Sequence, residues 1–226
     1  MNDRFRYHTN PRLTEIYSMV DKPTLGIDLD GVLSSTKKRF LMEIGEVYDI
    51  DITDDMYYDS NLYFPSISKS YGELVGEILE NDYDMYKTIE PISGASQATQ
   101  KLSNRYNIKI ITHRVREGWL TYEKRKRLKS LSINWLKDNN FYFDEFIFPT
   151  PEDKSDINAD VYIDDRHHNI KNVINEGNVG ILFIRPDNMQ SIPQGSWLAS
   201  AMTDKSINYF STNEKHQWDI ITESLI

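Results

Sequence analysis

From Gly94 onward the sequence alternates short apolar runs with amphipathic stretches, and this alternation limits the fold more than any other feature. "NIKIITHR", "DEFIFPT", "ADVYIDD" and "VGILFIRP" read as strands. "GASQATQKLSNRY", a long stretch from about Gly118 to Asn139, and "HNIKNVINEG" closed by Gly177 read as helices. Strands that are apolar along their length and interleaved with helices predict a parallel sheet covered on both faces. One more such strand, "TLGIDLD", comes earlier.

The region from about Ser34 to Ile92 breaks the rhythm. "TKKRFLMEIGEVY" and "YGELVGEILEN" read as helices on either side of an aromatic-rich loop, "YYDSNLYFPSIS". The expected architecture is therefore α/β: a Rossmann-like parallel sheet with helices on both faces, and a small helical cap inserted after the first strand. The core domain would comprise residues 1–33 and 93–226, and the cap residues 34–92. Asn10-Pro11 suits the start of a helix with Leu13, Ile16, Tyr17 and Val20 on one face. The tail should end in a short helix with Trp218, Ile221 and Leu225 on one face.

Composition sets outer bounds on function. A chain of 226 residues with 39% hydrophobic residues has material for a real core. No apolar run is long enough to cross a bilayer, and "MNDRFRYHTN" has no secretory apolar segment, so a cytoplasmic location without a membrane partner is expected. There is no cysteine, which excludes disulfides, thiolate nucleophiles and cysteine metal sites. The net charge of −9 argues against a general nucleic-acid surface but not against a small anionic substrate, because a metal ion or a basic cluster can invert the local field.

In a parallel sheet, ligands bind beyond the carboxyl ends of the strands. Four such ends carry reactive or charged residues. "LGIDLDGVLSST" places Asp28 and Asp30 on one side of an extended chain and follows them with Gly31. "IITHR" ends in Thr112, Lys154 follows "FIFPTPED", and "VYIDD" ends in Asp164 and Asp165. Each has a plain structural reading. A carboxylate pair can simply end a strand, Asp164 or Asp165 can cap the following helix, and Lys154 can be a solvated loop residue. Their order and common placement make the set specific.

In that order the four pieces resemble the motifs of the haloacid-dehalogenase-like superfamily of aspartate-nucleophile phosphohydrolases. Within it they are most similar to the 5′(3′)-deoxyribonucleotidase group. The likeness rests on "DLDGVL", "IEPISGA", "TYEKRKRLKSL" and "KSDINADVYIDDR", and spans about Thr24 to Arg185 with the cap poorly matched. The resemblance implies a phosphomonoester hydrolase. Asp28 would attack phosphorus, and Asp30 would protonate the leaving oxygen and then deprotonate water. It further implies a Mg²⁺ cofactor held by the Asp28 side chain, the Asp30 carbonyl and a carboxylate of the Asp164/Asp165 pair. Asp165 is favoured as the direct ligand by its spacing to Lys154. Thr112 and Lys154 would bind and neutralise the phosphoryl group, with His113 lining the pocket and Arg116 gripping phosphate.

The group also has an aromatic residue a few positions after the first motif that helps to hold the base. The matching position here is Thr36, and no tryptophan lies in the cap, so the resemblance implies the reaction more firmly than a pyrimidine preference. A nucleoside monophosphate is the expected substrate. Nucleic-acid ends and sugar phosphates are alternatives, and a non-catalytic module keeping the fold is a rival of another class. Three further features have two readings each. The basic run "EKRKRLK" could touch a nucleic-acid backbone or be the wet face of a helix burying Leu128, Leu131 and Trp135. Tyr57, Tyr58, Tyr63, Phe64, Tyr83 and Tyr86 could stack on a base or form the cap's core. His167 and His168 could ligate a transition metal or simply begin a solvated helix.

Overall fold

The computed structural model describes residues 22–59, 61–81, 83–112, 121–148, 158–185 and 213–226. Its strands are β1 (Thr24–Asp28), β2 (Tyr63–Phe64), β3 (Lys69–Ser70), β4 (Asn107–Ile111), β5 (Glu145–Ile147), β6 (Val161–Asp164) and β7 (Val179–Leu182). Its helices are α1 (Thr36–Tyr48), α2 (Asp54–Tyr58), α3 (Tyr71–Asn81), α4 (Ala95–Leu102), α5 (Tyr122–Asp138), α6 (His167–Asn175) and α7 (Glu214–Leu225), with a 3₁₀ turn over Asp84–Thr88.

Five strands form one sheet in the order β5-β4-β1-β6-β7, and every pairing is parallel. This is the expected α/β sheet. β1 lies at its centre, where both neighbours exclude water, and its Leu25 and Ile27 are fully buried with Ile108, Ile110 and Ile163. That burial explains why these strands read as continuous apolar runs rather than alternating ones. Register then places the site. Ile27 pairs with Ile163 and Asp28 with Ile111, so Asp28, Asp164 and Thr112 all emerge at the same edge of the sheet.

The segment between β1 and α4 leaves and re-enters the core through one neck. The Ser35 N–H donates to the Glu90 carbonyl at 2.9 Å and the Ile92 N–H to the Leu33 carbonyl at 2.8 Å, around a bridge between Ser34 and Pro91. α1 and α3 occupy the residues that the periodicity predicts. The intervening "loop" is more structured than expected, holding α2 and the β2–β3 hairpin. Two-residue strands are too short to show a period, so the pattern could not reveal them. Phe64, Tyr83 and Tyr86 are buried there, and Tyr86 meets Phe40 of α1 edge-on at 5.9 Å.

The α5 reading has the same outcome in part. The helix begins at Tyr122, where Thr121 Oγ1 accepts from the Lys124 N–H; the expected start near Gly118 falls outside the described residues. Leu128 and Trp135 are buried, and the Trp135 indole donates to the Ile89 carbonyl at 2.9 Å. The basic run is the outer part of this helix. Arg127 reaches Asp84 at 3.0 Å, and Arg125 donates to the Phe148 carbonyl.

At the C-terminus, α7 buries Trp218 and Ile221 against the core, with Leu225 partly buried beside them. The helix expected after Asn10 lies outside the described residues. Among the described residues no helix is long and apolar enough to cross a membrane.

Candidate active site

Three carboxylates meet where β1 and β6 end. One oxygen from each of Asp28, Asp164 and Asp165 lies within 4.8 Å of the others. Burial pushes the Asp28 carboxyl well up, and the charges of Asp164, Asp165 and Asp30 push it further, with Arg166 opposing. Burial likewise raises Asp164, against hydrogen bonds that favour its charged form. A set of hard oxygen donors that repel one another in a desolvated place suits a divalent cation such as Mg²⁺. His167 and His168 stand at the start of α6, and neither belongs to this group.

The acidic pair divides its duties. Asp164 Oδ1 accepts the Arg166 N–H at 2.6 Å, and its Oδ2 accepts the Asn169 amide at 2.8 Å. Asp164 thus fastens the turn that leads into α6; the N-cap itself is Arg166, which makes no side-chain cap bond, so neither aspartate is the helix cap that the sequence allowed. Asp165 Oδ2 instead accepts from Arg185 Nη2 at 2.8 Å, in a nearly buried ion pair with side-chain exposures of 11% and 8%. Arg185 escaped the sequence reading. Its only signal was a cation directly after the apolar run of the last strand.

Gly31 has a φ of 85°, and a Cβ built on it would run into Asp165 Oδ2 and come within 2.8 Å of Arg185 Cζ. The structure shows that the close approach is to this ion pair, with the left-handed backbone as a second reason for glycine.

Asp30 has different surroundings. The Thr36 hydroxyl donates to Asp30 Oδ1, and the Thr112 hydroxyl donates to Oδ2 at 3.1 Å. Ser34 Oγ lies 2.8 Å from Thr36 Oγ1 and 3.4 Å from Asp30 Oδ1, and it donates to the Leu29 carbonyl at 2.9 Å. A tight reversal brings these residues together: the N–H groups of Leu33 and Ser34 donate to the Leu29 carbonyl, and that of Gly31 to the Ser34 carbonyl. Thr112 thus joins the site through Asp30, a partner the sequence did not indicate.

Asp28, Asp30, Thr112, Asp164 and Asp165 are therefore gathered at one end of the sheet. His113, Arg116 and Lys154 lie outside the described residues. Of the six aromatics considered as base contacts, Phe64, Tyr83 and Tyr86 are core, Tyr63 is half exposed, Tyr57 lies beneath Lys37 Nζ at 5.8 Å, and the Tyr58 side chain lies outside the description.

With this geometry established, comparison with known proteins is informative. Residues 22–199 match the family described as "5' nucleotidase, deoxy (Pyrimidine), cytosolic type C protein". A 5'(3')-deoxyribonucleotidase of Bacillus subtilis is 24% identical over 169 residues, covering 74% of this chain and 88% of the relative. The 5'(3')-deoxyribonucleotidase of Bacillus phage SPbeta matches to the same extent. Among solved structures, a haloacid dehalogenase-like hydrolase from Streptococcus pneumoniae has a TM-score of 0.49 at 14% identity, over 78% of this chain and 93% of that one. A family enzyme from Bacteroides thetaiotaomicron, solved with magnesium and inorganic phosphate, has a TM-score of 0.36 at 16% identity, over 71% of this chain and 93% of that one. The family match covers well over half of the sequence, so the chain belongs to this nucleotidase family of haloacid-dehalogenase-like phosphomonoester hydrolases.

Proposed function

We propose that the protein is a Mg²⁺-dependent nucleotidase that cleaves the phosphate monoester of deoxyribonucleoside monophosphates through an aspartyl-phosphate on Asp28. The observation that carries this reading is the meeting of Asp28, Asp164 and Asp165 at adjacent strand ends, with Asp30 beside them. The relatives' names supply the substrate class.

In the first half-reaction an Asp28 oxygen attacks phosphorus and the ester P–O bond breaks. The leaving oxygen takes the bond's electron pair and a proton from Asp30. In the second, Asp30 takes a proton from water, which attacks the acyl-phosphate and restores Asp28. Phosphate monoesters resist hydrolysis so strongly that the rate enhancements required reach ~10²¹, which is the reason to divide the work between two carboxylates.

The Asp28 side chain, the Asp30 carbonyl and Asp165 would hold Mg²⁺. Asp165 is preferred because both oxygens of Asp164 are engaged at the start of α6. The ion, when bound, neutralises the repulsion between the carboxylates and the phosphate. Thr112 contributes a hydroxyl for the phosphoryl group, and the family likeness assigns Lys154, Arg116 and His113, which lie outside the described residues, to the same task. Residues 34–92 act as a cap over the strand ends, with Tyr57 and Tyr63 as side chains able to meet a nucleoside.

Phosphate release from a panel of deoxy- and ribonucleoside monophosphates, sugar phosphates and end-phosphorylated oligonucleotides, with and without Mg²⁺, tests this reading. Mg²⁺-dependent turnover highest on deoxynucleotides supports it. Preference for oligonucleotide ends or sugar phosphates would replace the substrate, and absence of turnover on every ester would replace the function.

A further inference from the structure

We propose that Thr36 is a positioning residue that aims the Asp30 carboxyl at the leaving group. This rests on the reading of Asp30 as the acid of the first half-reaction.

Asp30 lies beyond the end of β1 and outside regular sheet pairing, so the strand alone does not fix its side chain. A carboxyl without packed neighbours rotates freely about two side-chain bonds, and proton transfer requires it within hydrogen-bond reach of one oxygen. Hydroxyl donors hold it from two directions. Thr112 donates to Oδ2 at 3.1 Å from the end of β4, and Thr36 donates to Oδ1 from the first residue of α1.

Thr36 is itself well placed for this task. It is β-branched, so few rotamers compete for its side chain in a helix. Ser34 Oγ, buried and hydrogen-bonded to the Leu29 carbonyl, stands 2.8 Å behind Thr36 Oγ1. The reversal between Leu29 and Ser34, closed by three backbone hydrogen bonds, brings the acid back to Thr36 at the start of α1.

The chemistry separates this role from a merely structural one. An alkyl oxygen leaves badly unless a proton reaches it as the P–O bond breaks. A p-nitrophenolate leaves readily without one. kcat/KM reports the steps up to that cleavage and omits the later attack of water on the acyl-phosphate. Loss of the holder should therefore depress kcat/KM for alkyl esters selectively.

The test compares the parent, Thr36→Val, Thr36→Ser and Asp30→Asn on a deoxynucleoside monophosphate and on p-nitrophenyl phosphate. Valine keeps the shape of threonine and leaves Ser34 its Leu29 acceptor. Well-aimed acid catalysis is worth roughly 10²–10⁴-fold, so Thr36→Val should lose about 10-fold or more on the nucleotide and much less on the nitrophenyl ester. Serine restores the hydroxyl and should recover most of the loss.

Equal losses on the two esters with Thr36→Val, alongside a selective loss with Asp30→Asn, would overturn the positioning role and leave the acid in place. Equal losses with Asp30→Asn as well would remove the acid assignment and this inference with it. Melting temperatures of all four proteins identify a variant that fails to fold. If valine does so, failure of the folded Thr36→Ser to keep near-parent selectivity overturns the proposal instead.

Discussion

Asp28 and Asp30 stand two residues apart and are held in opposite ways. Asp28 faces other carboxylates: Asp164 and Asp165 share its space, and their charges add to burial in raising its proton affinity. Asp30 faces hydroxyls: Thr36 and Thr112 donate to its two oxygens. The first arrangement stores repulsion that a cation can relieve, so it is costly to the bare protein. The second satisfies its carboxylate locally. A nucleophile needing a metal and an acid needing a fixed direction call for this contrast: the end of β6 supplies the first setting, and the turn after β1 with the end of β4 the second.

The largest expected effect falls on the repulsive side. Asp28→Asn should lower turnover by a factor on the order of 10⁴ or more, since an amide cannot form the acyl-phosphate. The same variant removes a repelled charge and should melt higher than the parent in the absence of Mg²⁺. Phosphate release and calorimetry check the pair of outcomes, and loss of activity with loss of stability would break the contrast.

Next is the arginine that offsets part of the repulsion. Arg185→Ala leaves Asp165 buried without its guanidinium, which should cost about 3–5 kcal/mol in metal-free protein. Mg²⁺ should recover part of that loss if Asp165 is a ligand. Denaturant melts with EDTA and with Mg²⁺ measure both numbers, and an identical loss in the two conditions would separate Arg185 from the metal site.

The acidic pair itself can be ranked. Asp165→Asn should weaken Mg²⁺ binding on the order of 10- to 100-fold. Asp164→Asn should weaken it less and should instead loosen α6, because Asp164 holds the Arg166 N–H and the Asn169 amide. A magnesium titration giving the reverse order would make Asp164 the direct ligand.

A smaller effect lies in the pH dependence of stability. The folded protein holds the Asp28 proton more tightly than the unfolded chain does. Asp28 therefore contributes stability fully below the ordinary carboxylate range, and that contribution is lost as pH rises through the raised folded value. Metal-free parent should lose stability relative to Asp28→Asn as pH rises from about 4 toward neutrality, the ordinary aspartate value being ~3.9. The shift produced by Mg²⁺ should grow over the same interval. A difference between the two proteins that does not change with pH would contradict the repulsion.

Legibility followed the same divide. The sheet could be read because its buried strands are apolar along their length, and α1, α3 and α6 because hydrophobic period reports burial. Asp28, Asp164 and Asp165 could be read because strand ends in a parallel sheet converge. Asp30's partners could not. Thr36 meets Asp30 through a reversal closed by backbone bonds to the Leu29 carbonyl, and no period marks such a turn. The Arg185–Asp165 pair joins residues 20 apart, and the close approach of that pair to Gly31 has no mark in the chain around the glycine. The β2–β3 hairpin was too short to leave a pattern.

The central claim is that Asp28 becomes covalently phosphorylated, and chemical trapping tests it most directly. Asp30→Asn keeps the nucleophile but lacks the base that activates water, so the acyl-phosphate should accumulate. The variant would be mixed briefly with Mg²⁺ and p-nitrophenyl phosphate, whose leaving group needs no acid, quenched in acid and reduced with borohydride, then digested for peptide mass spectrometry. The account predicts homoserine at position 28, and none when substrate is omitted or when Asp28→Asn is combined with Asp30→Asn. Release of phosphate with no modified peptide, or modification at another residue, would contradict it.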